Sequence, residues 1–168
     1  MNTCADGDCA PVAERRRVGR AAVTPLPERG EPAFMATDES GIPAEGDVIT
    51  YERTFTTEDV REFGAITGDR QSIHTDPDGE GRLIVQGLLT GSLMTKIGGD
   101  LSYIARTMEY EFLKPVYTGV AITCEWTVES RTEREDRYLF DNSVTCRDEG
   151  GSVVLEAHTS GLIRKDDG

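Results

Sequence analysis

The stretch "RLIVQGLLTGSLMTKIGG", Arg82 to Gly99, decides how the rest of the chain must be arranged. Leu88, Leu89, Leu93, Met94 and Ile97 put apolar groups on nearly every side of a helix that opens at Gly87. A helix of that kind is buried, not laid on a surface. Gly87, Gly91 and Thr95 recur at i, i+4 and i+8, a stripe of small residues that lets a backbone or a ligand approach one side. A lone buried helix has to be enclosed, and the sequence on both sides of it supplies the enclosure.

Downstream, the apolar period changes to two. Met108, Tyr110 and Phe112 alternate with Thr107, Glu109 and Glu111, and Val120, Ile122, Cys124, Trp126 and Val128 alternate with polar or small neighbours. Tyr138, Phe140, Val144 and Cys146 continue the pattern with Asn142 as its polar exception. "DEGG", Asp148 to Gly151, then marks a hairpin turn into "SVVLEAHTSGLI". Strands covered on one face and wet on the other belong to an antiparallel sheet. Tyr103, Tyr110 and Trp126 read as aromatics of this core.

Upstream, "DVITYERTF", Asp47 to Phe55, reads as a further strand. "TTEDVREFGAITG" reads as a short amphipathic helix with Thr56 and Asp59 as a capping pair, Val60, Phe63 and Ile66 as its apolar stripe, and Gly68 as its C-cap. The order strand, short helix, loop, buried helix and four strands predicts a single α+β domain over residues 46–165. Its antiparallel sheet curls around the central helix.

Between the two helices lies "TGDRQSIHTDPDG", Thr67 to Gly79, with Asp69 five residues before His74. Each residue has an ordinary explanation: Asp69 as a turn or capping aspartate, His74 as a loop histidine, and Asp76 as the start of a turn that Gly79 closes. Together they are also a carboxylate and an imidazole delivered to the start of a buried helix. Imidazole titrates near neutrality, so the pair suits proton transfer. His158 falls on the outward face of the last strand and reads as a surface residue.

Composition narrows the field. At 168 residues the chain has the size of one domain plus a tail. Residues 1–45 precede the domain, and 1–34 hold five acidic and five basic residues without an apolar period, which reads as a disordered extension. The formal charge of −13 therefore belongs to the domain and argues against nucleic acid as a partner. Three lysines beside fifteen arginines, with the acidic excess, resemble proteins of salt-loving archaea. No stretch approaches the ~20 apolar residues of a membrane span, and "AERRRVGRAAV" lacks the apolar region of a secretory signal, so a cytoplasmic location is expected. Cys124 and Cys146 fall on apolar strand faces. Cys4 and Cys9 in the tail are a weak candidate pair for a metal or a disulfide, with no second ligand pair, and no metal is expected in the domain.

The element order, with "TGDRQSIHTDP" and "IVQGLLTGSLMTKIGG", resembles the hot-dog fold of the MaoC-like (R)-specific enoyl-CoA hydratases and dehydratases. Asp69, His74, Asp76 and Pro77 match one motif of that family, and Ile84, Val85 and Gly87 match another, over a resemblance that spans residues 47–164. It implies reversible hydration of a trans-2-enoyl thioester, with Asp69 and His74 sharing one water and the Gly87 backbone N–H receiving the thioester oxygen. It further implies Ile84, Gln86 and Thr95 as substrate-binding or orienting residues, Thr95 at a family hydroxyl position that a small residue for helix-to-sheet contact would equally explain. Coenzyme A enters as part of the substrate with no separate cofactor, and protomers pair as a homodimer or a multiple of dimers. Gln86 stands where the family usually has His, "DRQSIH" lacks the usual Asn-Pro, and the segment from His74 to Ile84 is short, which bears on acyl length.

A thioesterase of the same fold is a second reading, but the helix from Gly87 to Ile97 carries no carboxylate for such a base or nucleophile. A non-catalytic acyl-CoA or acyl-carrier binding module is a third. Arg70, Arg82 and Arg106 lie near the motifs and are the candidates to receive phosphate groups of coenzyme A.

Overall fold

The computed structural model describes residues 33–35 and 41–165. Of the extension read as disordered, residues 1–32 lie outside the described residues, as do Cys4 and Cys9, while Ala33 and Phe34 belong to a short strand paired with the next one. Within them the elements are β1 (Ala33–Met35), β2 (Val48–Thr54), α1 (Thr57–Thr67), α2 (Ser72–Thr75), α3 (Gly87–Asp100), β3 (Ile104–Phe112), β4 (Ala121–Glu133), β5 (Arg137–Asp148) and β6 (Val153–Arg164). β1 is three apolar residues long, too short to show a strand period in the sequence.

All strands join one antiparallel sheet in the order β1-β2-β4-β5-β6-β3. Because β4 pairs back onto β2, everything from α1 to β3 is an excursion between two neighbouring strands, and α3 is the part of it that the curled sheet encloses. This is the expected hot-dog arrangement. Leu89, Leu93, Met94 and Ile97 of α3 are buried in one cluster with Ile49, Tyr51, Ile122, Trp126 and Val144 of the sheet. Full burial of side chains of this size stabilises a fold by about 1.5–3 kcal/mol each, so the contact of α3 with the sheet is a large part of what holds the domain together.

The local signals in α1 are present as read. Thr56 Oγ1 accepts from the Asp59 N–H, the Asp59 carboxylate accepts from the Thr56 N–H, and Gly68 closes the helix at φ 80°. The apolar stripe is narrower than expected. Val60 and Gly64 face the domain, whereas Ile66, about 120° around the helix from Val60, is 83% exposed.

The small-residue stripe of α3 receives aromatic rings of β3. A Cβ on Gly87 would lie 2.9 Å from the Phe112 ring, and one on Gly91 would lie 2.8 Å from the Tyr110 ring. The two rings are themselves stacked, with centroids 5.8 Å apart. Two expectations are corrected here. α3 is not apolar-packed on all sides, since Leu88 is 60% exposed and Thr95 is exposed too. β3 is not half-buried throughout, because it is an edge strand with only one face against α3.

Asn142, the break in the strand alternation, is buried on the core face. Its amide donates to the Tyr103 hydroxyl (3.3 Å) and the Thr159 carbonyl (3.4 Å), and Tyr103 and Thr159 share a hydrogen bond of 3.2 Å. Tyr103 meets Trp126 edge-on, with centroids 5.2 Å apart, and fills the space beside Gly161, where a Cβ would come within 2.5 Å of the ring. Cys124 and Cys146 face each other across β4 and β5, both buried. Among the described residues, no helix is long and apolar enough to cross a membrane.

Candidate active site

A cleft of about 620 Å³ opens where the end of α1, the start of α3 and the end of β3 meet. Its walls are mostly apolar, with Phe63, Ile73, Leu88, Phe112, Leu113 and Val154 among them, and its only ionisable linings are Asp69, His74 and Lys114. Ile84, Gln86 and Gly87 also line it. Asp69 and His74 of the first motif and Ile84, Val85 and Gly87 of the second are thus brought together on one concave surface, whereas Asp76 and Pro77 are exposed and do not line it.

His74 is carried by α2, a single helical turn where the sequence suggested only a loop. The ring is 7% exposed, and its Nδ1 lies 2.8 Å from the Ile84 carbonyl. A carbonyl can only accept, so Nδ1 carries the hydrogen and Nε2 of the neutral ring keeps its lone pair. The acceptor is firmly held. Val85 N–H donates to the Val116 carbonyl, Thr118 N–H to the Leu83 carbonyl, and Leu83 N–H to the Thr118 hydroxyl. Ile84 therefore acts through its backbone, which orients His74, while its residue type fits the cleft wall.

Asp69 divides its carboxylate between two tasks. Oδ1 accepts from the backbone N–H and the side-chain amide of Gln71, a turn that leads into α2. Oδ2 faces His74 Nε2 at 3.7 Å. That gap is too long for a direct hydrogen bond and of a size that one shared donor can span. Asp69 thus both forms a turn and faces the imidazole, with one oxygen for each.

Gly87 is the first residue of α3, and its N-cap Gln86 makes no side-chain capping bond. The N–H groups of a first helical turn have no partner inside the helix, so this end presents donors and the positive end of the helix dipole beside the cleft. Gln86 itself is 3% exposed, its Nε2 donates to the Val60 carbonyl (3.0 Å), and its Oε1 has no partner among the described residues.

Thr95 stands elsewhere. Eight residues into α3 it has advanced about 12 Å along the axis from Gly87, is exposed, and does not line the cleft. The hydroxyl residue of α3 that does line it is Thr90, one turn from Gly87, buried and bonded to the Gln86 carbonyl (3.5 Å). The i, i+3 spacing from Gly87 was its available signal. Phe112 at the end of β3 and Leu113 just after it are cleft walls that the sequence does not mark, because an edge-strand face that lines a cleft looks like any core face in sequence.

The arginines part company as well. Arg82 is held by Asp78 and Glu80, both at 2.9 Å, and covers the Tyr117 ring at 4.5 Å, so its charge is spent locally. Hydrogen bonds from Arg82, its backbone first, hold the Asp78 carboxyl below the usual carboxylate range. Asp78 accepts from the Glu80 and Arg82 N–H groups and the turn closes at Gly81, φ 79°, so the turn expected at Asp76 to Gly79 lies two residues later. Arg106 sits at a bulge of exposed β3 and Arg70 is exposed; neither lines the main cleft. Arg70 instead borders a smaller cleft of about 250 Å³ behind Asp69 and His74. His158 is exposed beside Asp141, as expected. Among the described residues, no group of three or more His, Cys, Asp or Glu is arranged to hold a metal ion.

Known proteins share this architecture. A mitochondrial 3-hydroxyacyl-[acyl-carrier-protein] dehydratase of Solanum lycopersicum is 25% identical over 127 residues, 70% of this chain and 76% of that protein. A protein of Archaeoglobus fulgidus with a solved structure is 31% identical, superposes with a TM-score of 0.61, and is matched over 73% of this chain and 80% of its own. An (R)-hydratase from A. caviae involved in PHA biosynthesis shares the fold at a TM-score of 0.62 and 24% identity, over 71% of this chain and 96% of that one. Residues 41–146 match the family model described as the MaoC like domain, and this chain therefore belongs to the MaoC-like family.

Proposed function

We propose that this protein is a hydro-lyase that reversibly hydrates a trans-2-enoyl thioester, carried on coenzyme A, to the (R)-3-hydroxyacyl thioester. The observation that carries the reading is the pairing of Asp69 Oδ2 with His74 Nε2 at 3.7 Å on the wall of a largely apolar cleft, beside the start of α3. Both atoms reach one water from two sides. His74 Nε2 accepts a proton from that water, its oxygen bonds to the β-carbon, and the β-carbon to α-carbon double bond gives up its electron pair. The pair moves through the α-carbon onto the thioester oxygen, which the Gly87 N–H stabilises, and a proton returned through Asp69 to the α-carbon completes the addition. Donors of this kind supply about 3–4 kcal/mol of transition-state stabilisation in other enzymes. The thioester serves as its own electron sink, so the reaction draws on no further cofactor.

The acyl chain lies along Ile73, Leu88, Phe112 and Val154, and Thr90 takes the orienting place expected of Thr95. The edge of β3 is open, with Ile104, Phe112 and Leu113 exposed along it, and pairing of two protomers covers such an edge. The similarity to a dehydratase and to an (R)-hydratase supports the same reaction class. The decisive experiment follows loss of enoyl absorbance with crotonyl-CoA and longer homologues in high salt. Turnover by the native protein, lost in Asp69→Asn and His74→Ala, is expected. Unchanged turnover in both variants, or none in the native protein, overturns the reading, and sedimentation as a stable monomer overturns the pairing.

A further inference from the structure

Three contacts lie behind the candidate pair. The first is the His74 Nδ1 bond to the Ile84 carbonyl. The second is the bond from Gln86 Nε2 to the Val60 carbonyl, which ties the residue before α3 to the first turn of α1. The third involves a residue the sequence did not single out. After the Gly68 cap the chain folds back over α1, and the Asp69 carbonyl oxygen comes to rest against Gly64, where an added Cβ would lie only 2.8 Å from it and 3.4 Å from Gln86 Nε2. Gly64 is buried inside the helix, has no positive φ, and is followed by Gly68 as the C-cap, so the helix itself does not ask for glycine there. Mid-helix glycine is costly relative to alanine, and close approach of another backbone is the physical reason to keep one.

We propose that Gly64, with Gln86 braced beside it, is the positioning element of the site: the bare surface of α1 sets the depth at which Asp69 sits, and so the 3.7 Å gap to His74. This rests on the hydration reading. A Cβ at 2.8 Å from a backbone oxygen forces the backbone itself to move by a few tenths of an ångström, whereas the Val60 carbonyl keeps its helical partner if the Gln86 amide is removed. The Asp69 carbonyl and the Gln86 amide both press on the same bare point of α1, so the effects of the two residues on rate are coupled.

The test uses the full chain with crotonyl-CoA and four proteins: native, Gly64→Ala, the near-isosteric Gln86→Met, and the double variant. Gly64→Ala is expected to lower kcat at least tenfold and to change KM less than threefold. Gln86→Met is expected to lower kcat about fivefold without loss of thermal stability, and the double variant to lose no more than about the worse single one. A purely structural role moves the melting temperature and leaves this pattern of kcat, KM and non-additivity absent. Gly64→Ala with kcat within twofold of native overturns the inference. If Gly64→Ala fails to fold, Gln86→Met decides alone, and native-like kcat in it overturns the inference. No turnover in the native protein instead removes the hydration reading on which it stands.

Discussion

Two regions of this domain bury polar side chains, and they do so to different ends. Around α2, His74 and Gln86 are almost wholly shielded and sit beside Asp69, yet all three line open space. Between β3, β5 and β6, the fully buried Asn142 and Thr159 form a comparable cluster with the half-buried Tyr103, whose ring meets Trp126 edge-on. Each cluster contains one buried oxygen with no hydrogen-bond partner, on Gln86 and on Asn142. Burial and hydrogen bonding alone do not separate them; access does. A polar group that faces a cleft exchanges protons with whatever enters, whereas one sealed in the core only fixes how strands pack.

The contrast is broken most sharply by exchanging the readouts. His74→Ala is expected to reduce hydration by about 10²–10⁴-fold while leaving thermal unfolding nearly unchanged, measured by enoyl absorbance and calorimetry on one preparation. A parallel collapse of stability would make His74 a core residue like Asn142. Trp126→Ala, in the second region, is expected to cost about 3–5 kcal/mol by denaturant titration, since it removes the largest fully buried side chain. Asn142→Ala is expected to cost about 1–3 kcal/mol, because the Tyr103 hydroxyl loses one partner, with KM and kcat of the remaining folded protein as in the native one. A selective loss of kcat would connect that cluster to the site. Burial pushes the Tyr103 hydroxyl above its ordinary value against the bonds from Thr159 and Asn142, so it stays neutral through these measurements.

The smallest expected effect lies at the α1 cap. Burial alone would raise the Asp59 carboxyl, but the Thr56 N–H and hydroxyl and the Arg53 guanidinium outweigh it and hold it below its ordinary value. A carboxyl lowered in the folded state stabilises above the usual carboxylate range, ~3.9, and that contribution fades as pH falls through the lowered value. Asp59→Asn should therefore cost about 1 kcal/mol near pH 7 and progressively less below pH 4, by thermal unfolding across pH.

Much of this was legible because it is local. Thr56, Asp59 and Gly68 mark the ends of α1 by bonds made within a few residues, and the two-residue period of 120–129 matches the buried face of β4 position by position. Gly87 and Gly91 signalled a close approach, and their spacing matches the rings of Phe112 and Tyr110, two residues apart on a strand. What the sequence lacked were signals that arise only across the fold. Leu88 looks like a core leucine, yet the cleft is open at that point; Thr95 shares a face with Gly87 but not a depth.

By itself, then, the chain determined a buried helix, the strands that enclose it and a carboxylate and imidazole delivered between them, since periodicity, caps and turn chemistry act over short separations. Only the tertiary structure decided that Asp69 offers one oxygen to its own turn and the other to His74, that the Ile84 carbonyl fixes which ring nitrogen keeps its lone pair, and that Gly64 must be bare. Those depend on how the chain reverses over α1 and turns through α2, and on where a carbonyl ten residues further on comes to lie, and no spacing along the sequence encodes a distance across the fold.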